Sequence, residues 1–142
     1  MADSSIKTIN IKARQVIWGP VIMHGFGDDM VEVEQPEDDV EVAEGADGEV
    51  THIMKQVRHA RVTVTLKQSS LANTELSGYR IADRLTGSGI FPLTVRDGSG
   101  TTVFFAPAAR IIKAPNIKFS KSVQDNQWVF GTGPAETFIG GN

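Results

Sequence analysis

Eleven carboxylates crowd into residues 28–49 with no base among them: Asp28, Asp29, Glu32, Glu34, Glu37, Asp38, Asp39, Glu41, Glu44, Asp47 and Glu49. Three kinds of chemistry use carboxylates at that density: acid–base catalysis by a pair, chelation of a hard cation, and exclusion of other anions. The spacing does not follow the calcium-loop pattern of alternating acids closed by a glycine and a distal glutamate. A catalytic pair needs one carboxyl in an apolar pocket, whereas these acids have other acids as neighbours and valines on the opposite face. The remaining reactive side chains are few. His24, His52 and His59 show neither HxH nor HxxxH spacing. There is no cysteine, so thiolate metal sites, disulfides and a thiol nucleophile are excluded. Ser88 and Ser99 sit in Gly-Ser-Gly turns without a nucleophile elbow. Gly25-Phe26-Gly27 runs into Asp28 and Asp29, which would repel a phosphate. One tyrosine and two tryptophans are too few for a stacking platform, and Trp18 and Trp128 read as core. The expectation is no catalytic residue, no cofactor and no metal.

The 142 residues suit one domain, read as 1–142. Its charge is uneven: residues 1–27 carry +2, residues 28–49 carry −11 and residues 50–142 carry +6, for a total of −3. A basic body therefore bears one acidic segment. Mild overall acidity argues against a general nucleic-acid binder. No apolar run is long enough for a membrane helix, and Met1 to Ser5 is too polar for a signal peptide.

The elements that must hold the acids are β. Val31-Glu32-Val33-Glu34 and Val40-Glu41-Val42 alternate with period two, which puts valines on one face and glutamates on the other. Pro36 to Asp39 separates the two runs as a loop, and Asp47-Gly48 makes a turn before a strand at 49–54. Glutamates side by side in a sheet repel by about 0.7 kcal/mol per pair at ~6 Å in water, so they either stay in solvent or are used. Further strands are predicted at 6–23 with a bend or bulge at Gly19-Pro20, and at 61–67, 91–95, 101–105, 110–113, 116–120 and 127–130. The period changes to helical from Leu71, with Ser69 and Ser70 as possible caps and Gly87 as the stop, so the one helix spans about 70–86. The fold class is mainly β: a β-sandwich or barrel of about seven to nine short strands with one helix.

The order of acidic β segment, Gly45-Ala46-Asp47-Gly48-Glu49 turn, threonine-rich strand and Leu66-Lys67-Gln68-Ser69-Ser70-Leu71-Ala72-Asn73-Thr74-Glu75-Leu76-Ser77 junction resembles the tail tube proteins of contractile-tailed bacteriophages. The ending, Asn126-Gln127-Trp128-Val129-Phe130-Gly131 and then Gly140-Gly141-Asn142, is similar too. The resemblance covers roughly residues 25–142. It implies a virion structural protein made in the host bacterial cytoplasm, with hexameric rings stacked into a tube for DNA delivery. The implied partners are further copies of the chain, a tail sheath protein, a tape-measure protein and double-stranded DNA in passage. On this reading Glu32, Glu34, Glu37, Asp38, Asp39, Glu41 and Glu44 face the lumen or stack rings, while Lys55, Arg58 and Arg61 supply complementary charge between subunits. The alternatives are a tube subunit of a related injection or secretion device, a monomeric β-sandwich module binding carbohydrate or cation, and a small carboxylate hydrolase.

Overall fold

The computed structural model describes residues 14–55, 59–98 and 100–141, with backbone alone for residues 27–29. Ten strands and one helix follow in order: β1 (Arg14–Trp18), β2 (Val21–Ile22), β3 (Phe26–Glu34), β4 (Val40–Glu44), β5 (Val50–Met54), β6 (Arg61–Lys67), α1 (Ala72–Thr86), β7 (Phe91–Asp97), β8 (Val103–Lys113), β9 (Asp125–Thr132) and β10 (Glu136–Phe138). Eight strands form one antiparallel sheet in the order β2-β1-β7-β8-β9-β6-β3, with β10 beside β8; β4 and β5 form a separate hairpin.

The sheet is rolled. β2 and β3 lie at opposite ends of the strand order, yet only Met23, His24 and Gly25 connect them. A link that short spans about 14 Å at most, so the two edges are drawn together into a nearly closed barrel. Trp18 confirms the curl. Strands β1 and β9 stand three places apart, roughly 14 Å in a flat sheet, but the Trp18 and Phe130 rings lie 5.2 Å apart across the concave face. The Trp18 indole N–H donates to the Ala109 carbonyl on β8 at 3.0 Å. Around it pack the inward residues of every long strand, among them Val16, Val62, Val64, Leu66, Leu93, Phe104, Ile111 and Phe130.

The helix closes over this core with Ala72 and Leu76, both fully buried, and with Tyr79 edge-on to Trp18 at 5.7 Å. Its apolar stripe is narrower than the sequence pattern suggests: Leu71 and Leu85 are exposed. Ser70 takes part in the start, its Oγ accepting the Ala72 N–H at 3.3 Å and donating to the His24 carbonyl at 2.6 Å. Gly87 ends the helix at φ 71°, its N–H bonded to the Asp83 carbonyl, a left-handed position that favours glycine.

Several predicted boundaries shift. Gly19-Pro20 is the turn of a tight β1–β2 hairpin, with Ile17 opposite Ile22 and Trp18 opposite Val21. Pro107 does not separate two strands. β8 runs through it for eleven residues, because the β7–β8 register shifts there and leaves proline no ladder bond to make. Residues 116–120 form no strand; Gln68 pins them as a loop by donating to the Lys118 carbonyl at 3.2 Å. The short strand β10 has no sequence counterpart in the prediction. Residues 6–13 of the first predicted strand lie outside the described residues.

Candidate functional site

The acidic segment divides into three structural parts. In β3 the alternation works as the sequence dictates: Val31 and Val33 pair with the buried Val64 and Val62, while Glu32 and Glu34 pair with Thr63 and Arg61 on the outward face. That face continues across Thr65, Gln127 and Val129 to Lys113. Thr65 and Val129 are buried on it; its exposed part is polar and mixed in charge, with Lys67 and Asp125 paired at 3.5 Å.

The second part is the loop at 35–39. Gln35 locks it, donating to the Glu37 carbonyl at 2.7 Å and the Asp39 carboxylate at 2.8 Å. Glu37, Asp38 and Asp39 are all exposed.

The third part is the β4–β5 hairpin. The Lys55 N–H donates to the Asp39 carbonyl at 2.9 Å and fixes its base. At the tip the Gly45 N–H donates to the Glu49 carbonyl at 2.7 Å, and the Asp47 carboxylate accepts the Glu49 N–H at 3.1 Å. Register pairs Val40 with Met54, Val42 with His52 and Glu44 with Val50, so these six share one face. Glu41, Ala43, Thr51 and Ile53 share the other. On a strand laid against a core, the valines of β4 would pack inward. They do not, because the hairpin has no layer beneath it: Val42 is 63% exposed, Val50 54% and Met54 75%. No core residue lies between 40 and 54.

A second surface was not anticipated. Outward positions of five strands align as Ile22, Ile17, Thr94, Phe105 and Glu136, and in the next row Val103 pairs with Phe138. Ile22, Phe105, Val103 and Phe138 are all exposed. Alternation in β8 signals this patch: Phe104 and Ala106 point in, so Val103 and Phe105 must point out. A large apolar patch on an outward sheet face marks a protein contact.

Third is a groove of about 640 Å³ between α1 and the loop after β8, with Asn73, Ser77 and Arg80 on one wall and Lys113, Pro115 and Lys118 among the residues of the other. No carboxylate lines it. The sequence signal is that residues 98–124 hold four bases and no acid.

The sequence-predicted cations lie elsewhere. Lys55 is half-buried at the hairpin base and Arg61 sits in β6 across from Glu34; Arg58 lies outside the described residues. A larger cleft, about 1260 Å³, opens at the barrel seam between β1–β2 and β3, with Val16, Met23, Phe26, Val31, Val33 and Phe104 in its wall. An Arg14–Asp97 pair at 3.4 Å borders it. Among the described residues no group of three or more His, Asp or Glu is placed to hold a metal ion. No helix among the described residues is long and apolar enough to cross a membrane.

The chain matches the model of the bacteriophage PhiTE tail tube protein family over residues 6–140. It is 31% identical over 121 residues to "Structural protein ORF10" of Pseudomonas phage KPP10, covering 83% of this chain and 70% of that protein. Its fold is similar to a chain of the PVC sheath–tube complex of an extracellular contractile injection system in the extended state, with a TM-score of 0.65 and 14% identity over 92% of this chain and 91% of the other. It is also similar to the tube-terminating cap of the anti-feeding prophage, with a TM-score of 0.63 and 12% identity over 97% and 95%.

Proposed function

The chain belongs to the bacteriophage PhiTE tail tube protein family, and from that premise we propose that six copies close into a ring and that rings stack into the bore of a contractile tail. The observation that carries this reading is the β4–β5 hairpin. A two-stranded hairpin with both faces in water is marginal by itself, and this one keeps Val42, Val50, Ile53 and Met54 exposed in the isolated chain. Neighbouring copies supply what it lacks. The outward apolar rows around Phe105 and Phe138 ask for the same kind of cover. Such a subunit is a structural virion protein and performs no catalysis. The sheath surrounds the tube, the tape-measure protein fills it before ejection, and double-stranded DNA then passes through.

Glu32 and Glu34 stand on the outward face of the continuous sheet, the surface a ring of joined sheets turns toward its bore. Glu37, Asp38, Asp39, Glu41 and Glu44 stand on the loop and hairpin that reach the next copy. Lys55 and Arg61, beside these two groups, temper the local repulsion. A carboxylate-bearing wall repels DNA, which carries one negative charge per about 1.7 Å of duplex, so the genome slides without adhering.

Negative-stain microscopy of concentrated protein tests the assembly: annuli or hollow tubes are expected. A persistent 15 kDa species, even when seeded with preformed tail ends, would overturn it. The lumen assignment has its own test. Tubes of a Glu32→Lys, Glu34→Lys double variant should retain duplex DNA in low salt and release it as salt rises, while wild-type tubes retain none. Equal retention by both would place these glutamates off the bore.

A further inference from the structure

The basic groove beside α1 and the acidic tip of the β4–β5 hairpin are complementary in charge, and among the described residues no ion pair joins them within the chain. The hairpin tip carries Glu44, Asp47 and Glu49, all exposed and, among the described residues, none in an ion pair. Behind the tip stand Val42 and Val50 on one face. The groove carries Arg80, Lys113 and Lys118, likewise without an ion-pair partner among the described residues. Its edge carries Ile112, Ile117 and Phe119, which are 54%, 87% and 91% exposed. Each element thus has an apolar part next to a charged part, of opposite sign.

Both are preformed. The tip is fixed by its glycine turn and the Asp47 bond. The groove floor is fixed by the Trp128 indole N–H donating to Asn73 Oδ1 at 2.9 Å. The loop wall is tied to Gln68, which also accepts the Gln124 N–H at 3.4 Å. Docking parts whose turn and floor bonds are already made lowers the ordering cost of association.

We propose that the β4–β5 tip of one copy seats in the Arg80–Lys113–Lys118 groove of the next copy, with Val42 and Val50 against Ile117 and Phe119. The inference rests on the tube reading above and names the contact through which copies join. Every copy then gives one tip and receives one, a head-to-tail contact that closes into a ring or repeats along an axis. It also places the complementary cations on α1 and the loop after β8, apart from Lys55 and Arg61.

Charge exchange tests the contact. Variant one is Lys113→Glu with Lys118→Glu; variant two is Glu44→Lys with Glu49→Lys. Each alone should raise the critical concentration for assembly by about tenfold or more at low salt. An equimolar mixture should assemble again, because the basic tips of variant two meet the acidic grooves of variant one and the wild-type pair survives in the reverse sense. Circular dichroism establishes that both variants are folded. A second measurement does not depend on charge. The chain has no cysteine, so an Ala46→Cys, Asn116→Cys protein should form a disulfide-linked ladder on oxidation of assembled material. Wild-type assembly in parallel separates the two levels of argument. If wild type assembles and the single variants assemble equally well, or the ladder is missing, this contact is wrong while the tube reading stands. Tubes of variant one that form normally but no longer bind sheath would give the groove to the sheath and overturn the proposal. Wild-type protein that never assembles would remove both.

Discussion

Replacing Trp18 by alanine should lower stability by about 3–5 kcal/mol, which for a chain of this size brings the unfolding midpoint down by roughly 10–20 °C. Trp18 is the residue around which the sheet curls. It is fully buried and meets Tyr79, Phe91 and Phe130 edge-on at 5.7, 5.2 and 5.2 Å. These three rings come from α1, β7 and β9, so one side chain joins the helix to both halves of the sheet. Truncation leaves a cavity in the concave face and removes the donor to the Ala109 carbonyl. Calorimetry or circular dichroism of unassembled protein measures the loss. A change below about 1 kcal/mol would mean that the sheet does not close around this ring. Assembly should fail as a consequence, since a sheet that opens no longer presents its outward rows in register.

How far the fold could be read in advance depended on whether local chemistry decided it. The Val31 to Glu34 alternation was legible because the strand lies on a real core: the period-two rule needs one wet and one dry face, and Val62 and Val64 supply the dry one. The same rule misled at Val40 and Val42, where the strand forms but no layer covers it. Alternation reports two different faces and does not say what each will meet. Gly87 marked the helix end because its constraint is local. The strands predicted at 101–105 and 110–113 are one, because a bulge in β8 itself, opposite β7, takes up Pro107. The acidic segment was visible as charge, and its strands, loop and turn were local enough to read; that β3 joins the main sheet through β6 while the β4–β5 hairpin stays outside it was not, because that difference rests on a pairing between residues about thirty apart. The basic groove was the least legible. Arg80 and Lys118 are distant in the chain, and only the packing of α1 beside the loop after β8 makes them one surface.

Excision of the hairpin should abolish assembly and leave the fold intact. The geometry permits a clean deletion: the Lys55 N–H already bonds to the Asp39 carbonyl at 2.9 Å, so replacing residues 40–54 by Asn-Gly closes the gap with a two-residue turn. No side chain of the core cluster is lost, and the unfolding midpoint of the unassembled protein should move by no more than about 3 °C, the shift expected for less than 1 kcal/mol. Assembly should disappear, because the removed arm holds Val42, Val50, Ile53 and Met54, the exposed apolar surface that only another copy can cover, together with every acid of the tip. Analytical ultracentrifugation and microscopy on the same sample read both outcomes. Tubes formed by the shortened chain would show that copies join through the Phe105 and Phe138 rows and the sheet edges alone. Global unfolding would show that the arm stabilises its own subunit, in conflict with a hairpin that contributes no residue to the core. The prediction separates the two uses a protein makes of apolar surface. Val62, Val64 and Trp18 are hidden when the chain folds, whereas Val42 and Met54 remain in water until copies meet, and removing them should be felt only at that second step.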